Sequence, residues 1–146
     1  ESDLNFLIRA NPRYEATILN ARIRRSYLNN NTKIISLNEM GDLTYPYQSL
    51  DGQTQTVKNI FDGDNEISKE IINAKKPLII LGESLLNSNS SNYLFNTIKE
   101  FLVKNNKISE TWNSLNILST DASTVGNFDL VILKQEFDLI DILKNH

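Results

Sequence analysis

LNFLIRANPRYEATILNARIRR, residues Leu4 to Arg25, decides how the rest of the chain is read. Leu4 to Ile8 is a short apolar run and is read as a strand. Asn11 is a good helix cap and Pro12 suits a first helical turn, so a helix follows at once. Glu15 then lies near the positive end of the helix dipole. Ala16, Leu19, Ile23 and Tyr27 recur near helical spacing and form the expected inward stripe. Asn29-Asn30-Asn31-Thr32 ends the helix, and Lys33 to Leu37 is read as a second strand. Strand, helix and strand with short joins make a βαβ unit with parallel strands and a right-handed crossover.

Downstream, Asn38 to Thr56 is turn-rich and is expected to form a long surface loop. One or two short helices are expected over Val57 to Phe61 and Ile67 to Asn73, broken at Asp62-Gly63-Asp64. Leu78-Ile79-Ile80-Leu81-Gly82 is the clearest buried strand. After a polar loop at Ser88 to Ser91, a helix runs from about Asn92 to Lys104, with Leu94, Ile98, Phe101 and Leu102 on one face. Leu115 to Leu118 is read as a fourth strand. Leu130 to Leu133 fits either a strand or the entry to a helix. Phe137, Ile140 and Leu143 or Lys144 fit a final helix. The fold class expected is α/β: an open, mainly parallel sheet with helices on both faces, in one domain over 1–146. Such sheets place ligands at the carboxyl ends of their strands, so Asn11-Pro12, Ser36 to Asn38 and Gly82-Glu83-Ser84 are expected to line one rim.

Composition narrows the chemistry. With 146 residues, 40% hydrophobic and 23% charged, the chain has enough apolar material for a core. The net charge of −3 provides no basic field for nucleic acid. There is no cysteine, hence no thiolate metal site or iron–sulfur cluster held by this sequence. No apolar run approaches the roughly 20 residues a membrane-spanning helix needs. Lacking an initiator Met and a signal-peptide pattern, the sequence reads as a piece of a longer chain.

Candidate sites are few. Gly82-Glu83-Ser84-Leu85-Leu86 starts like a nucleophile elbow, but the second glycine is absent and the single histidine is His146. A strand-to-helix loop accounts for it better. Asp62, Asp64 and Glu66 lack the glycine and closing glutamate of a calcium loop. Arg22, Arg24 and Arg25 near the end of the first helix are read as a solvated face that complements the dipole, with a partner contact as the sharper alternative. Trp112, Tyr45 and Tyr47 are expected to pack at the core edge.

Asn11-Pro12-Arg13-Tyr14-Glu15-Ala16, continued by Leu19-Asn20-Ala21-Arg22-Ile23-Arg24, resembles the large iron–sulfur subunit of respiratory complex I, the NADH:quinone oxidoreductase. That family carries N-P-R-[YF]-E-A-P-x-x-N-A-R-I-R; Thr17 stands here where Pro is usual. The likeness extends to Asp42 through Tyr45, to Lys75 through Gly82, and to Trp112 through Leu118. It implies a domain of the molybdopterin oxidoreductase fold, in which a Gly-x-Asn-Pro turn and a later Asp-Pro-Arg hold a pterin dinucleotide in the catalytic members. Here Asn11-Pro12 is kept, Arg9 replaces the glycine, and Ser36-Leu37-Asn38-Glu39 follows the second strand without Asp-Pro-Arg. The resemblance thus implies a vestigial site at Asn11 and Pro12, no cofactor and no catalytic or metal-binding residue in this piece, and iron–sulfur clusters elsewhere in the parent. It also implies partners: the cluster-bearing N-terminal region of the same chain and other peripheral-arm subunits. The implied place is the cytoplasmic or matrix side of a membrane-bound complex, without insertion. A cofactor-binding domain of a catalytic molybdopterin oxidoreductase is the alternative.

Overall fold

A computed structural model describes residues 2–63, 65–86 and 90–120. In chain order its elements are β1 (Leu4–Ile8), α1 (Pro12–Glu15), α2 (Thr17–Asn30), β2 (Lys33–Ser36), β3 (Gln48–Ser49), α3 (Thr54–Phe61), α4 (Glu66–Asn73), β4 (Pro77–Gly82), α5 (Glu83–Leu86), α6 (Ser91–Lys104) and β5 (Leu115–Leu118). The strands form one sheet in the order β3-β2-β1-β4-β5, with every pairing parallel. This is the open α/β sheet expected from the sequence.

Strand geometry explains the two cores. Alternate side chains point to opposite faces. Phe6, Ile8, Ile35, Leu37, Ile79 and Leu81 face one cluster, which is closed by residues of α3, α4 and α6. Within it Phe61 stacks on Phe6 at 6.2 Å and meets Phe101 edge-on at 5.3 Å. Leu7, Ile34 and Ile80 face the other cluster, where Ile23 of α2 covers them. Because both faces are covered, β1 is buried along its whole length and reads as continuously apolar apart from Asn5.

The segment expected as a surface loop contributes to the second core. Met40, Leu43 and Tyr45 are buried in it, and Tyr47 packs against it half-buried. The physical reason is that α2 supplies too little apolar surface by itself. Of its inward stripe Ile23 is buried, while Leu19 and Tyr27 are only half-buried. Tyr45 and Tyr47 thus sit at the core as expected. Trp112 is half-buried, donating Nε1–H to the Pro77 carbonyl at 3.0 Å, with Lys76 Nζ 5.2 Å from its ring centre. Asp3 ties the starts of β1 and β4 together: its carboxylate accepts the Lys75 and Lys76 N–H groups at 2.6 and 2.9 Å. The readings made for Leu130 to Leu133 and for Phe137, Ile140 and Leu143 lie outside the described residues.

The first helix is broken. Ala16 leaves helical geometry at φ −152°, ψ 77°, and separates α1 from α2. A proline at 17 would force such a break, since it bars its predecessor from the helical region. Here the break persists with Thr17 as the first residue of α2, a position whose N–H has no intrahelical acceptor. Thr17→Pro is therefore expected to stabilise the fold by about 0.5–1 kcal/mol through the unfolded chain. The check is the urea midpoint.

Candidate functional site

The topology reverses direction between β1 and β4, so the carboxyl ends of these strands mark the ligand position in an open α/β sheet. An open cleft of about 380 Å³ lies there, lined by Arg9, Asn11, Glu15, Asn38, Met40, Gly52 and Ser84. Three loops expected to share a rim do so. The volume is at the low end of the roughly 300–1,000 Å³ typical of small-molecule sites.

The polar groups of this cleft are largely engaged with the protein itself. Asn11 caps α1 through Oδ1, which accepts the Arg13 N–H at 3.2 Å, while its Nδ2 donates to the Met40 carbonyl at 3.3 Å. Its backbone N–H, at a helix start where a phosphate could be met, donates instead to Glu15 Oε1 at 3.0 Å. Ser84 Oγ donates to the Arg9 carbonyl at 3.2 Å. Arg9 adopts φ +52°, a left-handed geometry that suits glycine. The backbone thus has the shape a glycine favours, with a long cationic side chain mounted on it. Relieving that strain should make Arg9→Gly more stable by about 0.5 kcal/mol after the entropy glycine gives back, whereas the β-branched Arg9→Val should lose about 1–2 kcal/mol. Thermal unfolding of the two variants distinguishes them.

Below the cleft the chain is clamped. Arg13 reaches Asp42, pairing with its carboxylate at 2.9 Å and donating to its carbonyl. The Thr44 N–H and the Arg13 side chain hold the Asp42 carboxyl below the usual range. Asn20, buried on α2, donates Nδ2–H to the Leu43 carbonyl at 3.2 Å and accepts the Tyr45 hydroxyl at 2.7 Å. Burial pushes the Tyr45 phenol up, so it remains a neutral donor. Asn11, Arg13 and Asn20 therefore all bind residues 40–45. Sequence reasoning passed over Arg13, Asn20 and Asp42; the signal available was that both segments belong to the same resemblance.

Glu83 begins α5, next in sequence to Ser84 of the cleft. Its Oε2 accepts the Thr120 hydroxyl at 2.6 Å and the Thr120 N–H at 2.7 Å, which keeps its carboxyl below the ordinary range. A depressed folded pKa gives stability that is complete above the unfolded value and is lost as pH falls through the folded one. The expected result is a Glu83→Gln variant whose stability falls less than that of the native sequence on acidification below about pH 4.5. Urea midpoints taken across that range report it.

Other expected sites are placed plainly. Ser84 has no histidine near it among the described residues, and His146 lies outside them. Asp64 also lies outside, and Asn65, not an acid, caps α4 by accepting the Ile67 N–H at 3.1 Å. Among the described residues no group of three or more His, Cys, Asp or Glu side chains could hold a metal. Arg22, Arg24 and Arg25 are exposed on α2 and do not line the cleft. Among the described residues no helix is long and apolar enough to cross a membrane.

The sequence matches the family model described as molybdopterin oxidoreductase over residues 1–144. It is 37% identical to the NADH-ubiquinone oxidoreductase 75 kDa subunit of Reclinomonas americana over 132 residues, 90% of this chain and 19% of that protein. It is 32% identical to the NADH-ubiquinone oxidoreductase 78 kDa subunit of Neurospora crassa over 131 residues, 88% and 17% of the two chains. It is 28% identical to the NADH dehydrogenase (ubiquinone) iron-sulfur protein 1 of Solanum tuberosum over 144 residues, 99% and 20% of the two. The chain spans about a fifth of the length of the curated relatives it matches. The parallel sheet, its strand-exit turn at Asn11-Pro12 and the match along nearly all of the sequence agree, and the chain belongs to the molybdopterin oxidoreductase family.

Proposed function

We propose that this chain is a structural domain of the iron–sulfur subunit of NADH:quinone oxidoreductase, complex I, and that it carries no pterin. The parent transfers electrons from NADH toward quinone, on the cytoplasmic or matrix side of the membrane. The domain braces the cluster-bearing region of that subunit and presents surface to neighbouring subunits of the peripheral arm.

The observation that carries this reading is the clamp. Asn11, Arg13 and Asn20, which stand in the N-P-R and N-A-R parts of the motif, bind residues 40–45. Their polar atoms serve the fold. A pterin dinucleotide does not fit the rim beside them. The Asn11 N–H that would meet its pyrophosphate is occupied by the Glu15 carboxylate, and a second anion there would be repelled. Arg9 stands where backbone alone would allow close approach. The names of the relatives support the respiratory assignment, and a sequence without cysteine agrees with clusters held elsewhere in the parent.

Arg13→Ala with Asn20→Ala, built into the full-length subunit, tests the structural role. The expected result is less assembled complex, with NADH:quinone activity per assembled complex unchanged. Normal assembly with lower activity per complex would contradict it.

A further inference from the structure

α2 has apolar residues on two opposite faces. One face turns inward through Asn20, Ile23 and Tyr27. Ile18, Ala21, Arg22, Arg25 and Leu28 follow at spacings of three and four residues, which places them together on the other face. All are exposed. Ile18 is 74% and Leu28 66% exposed, and Tyr14, on the short helix just before, is 80% exposed. These three are the most exposed large apolar side chains among the described residues. The grouping of Ile18 and Leu28 on one helix face, with arginine beside them, is the composition of a protein interface.

Charge selects the occupant. The chain as a whole carries −3, yet this face presents only cations. Among the described residues no acid pairs with Arg22 or Arg25; of the α2 arginines it is Arg24, toward one side, whose charge reaches Asp42, where Arg13 is the direct partner. A second copy of the chain would bring Arg22 and Arg25 against their own counterparts, a like-charge contact that disfavours self-pairing. We infer that the outer face of α2 is a docking surface for an acidic segment of another protein subunit, which sets apolar side chains against Ile18 and Leu28 and carboxylates against Arg22 and Arg25. The inference rests on the reading that the domain works inside a larger assembly and names the chemistry of one neighbour.

The test is hydroxyl-radical footprinting of Tyr14, Ile18 and Leu28 in the full-length subunit, alone and in the purified complex. A benzoylphenylalanine placed at residue 18 reads the neighbour by photo-crosslinking. The expected result is at least fivefold lower reactivity in the complex only, with crosslinks to a segment rich in Asp and Glu. Arg22→Glu with Arg25→Glu should restore the reactivity and leave thermal unfolding of the subunit unchanged. Equal reactivity in both states overturns the inference. So does protection in the subunit alone, whether it grows with concentration, as for a second copy, or does not, as for a segment of the same polypeptide, including 121–146. Crosslinks to a neutral or basic segment also overturn it. NADH:quinone activity measured on the same preparation judges the respiratory reading separately, since a complex without that activity would leave the footprint result standing.

Discussion

Gly82→Ala is expected to be among the most damaging single-methyl additions in the described chain, lowering stability by about 3 kcal/mol or more. Gly82 ends β4, and a Cβ built there would lie 1.9 Å from the Arg9 carbonyl oxygen, 2.6 Å from its carbon and 3.0 Å from the Ala10 nitrogen. All three atoms are backbone, so no rotamer change relieves the clash. Either the turn after β1 must move or the end of β4 must leave its register with Leu118 of β5. Both strands are at the centre of the sheet, and movement in either disturbs both cores. Gly41→Ala is the control. Gly41 has φ +72° and nothing within 4 Å of the added carbon, so only the backbone term of about 1–2 kcal/mol applies. Chemical denaturation of the two variants should separate them clearly. Similar midpoints would mean that the close approach of β4 to the first turn does not hold in solution.

Asn20→Leu is expected to cost about 2–4 kcal/mol, although it exchanges a buried polar side chain for an apolar one of similar size. It strips the Leu43 carbonyl of its side-chain donor and the buried Tyr45 hydroxyl of its acceptor, and each such buried group costs roughly 1–3 kcal/mol. Adding Tyr45→Phe removes one of the two stranded groups. The double variant should therefore be more stable than the sum of its parts by about 1–2 kcal/mol. Strict additivity would mean that Asn20 and Tyr45 act independently and that the clamp is no unit.

The strands were legible because Leu4 to Ile8 and Leu78 to Gly82 are apolar runs too short for helices, each followed by a turn. The α6 face was legible because Leu94, Ile98, Phe101 and Leu102 repeat at 3.6 residues and are all buried. Asn11-Pro12 announced a cap and proved to be one. Asn20 was not legible, since an asparagine on an amphipathic helix reads as solvated unless its partner is known. Its partner lies 25 residues away in a segment rich in Gly, Asp and Pro. That same composition hid the buried Met40, Leu43 and Tyr45, because turn residues set the backbone while every few residues a side chain still points inward. The two-residue β3 is too short to leave a period, and the break at Ala16 went unseen because Thr17 carries none of the signal of the proline it replaces. At the rim, Arg9 and Ser36 to Glu39 were visible in the sequence, but the capture of the Asn11 N–H by Glu15 is a matter of geometry.

The most direct measurement is the molybdenum, tungsten and pterin content of the full-length subunit, purified in its native complex and set against its iron. The expected result is iron in cluster amounts with molybdenum, tungsten and pterin at background. One pterin and one molybdenum or tungsten per subunit would contradict the reading of this domain as a brace built around its own motif.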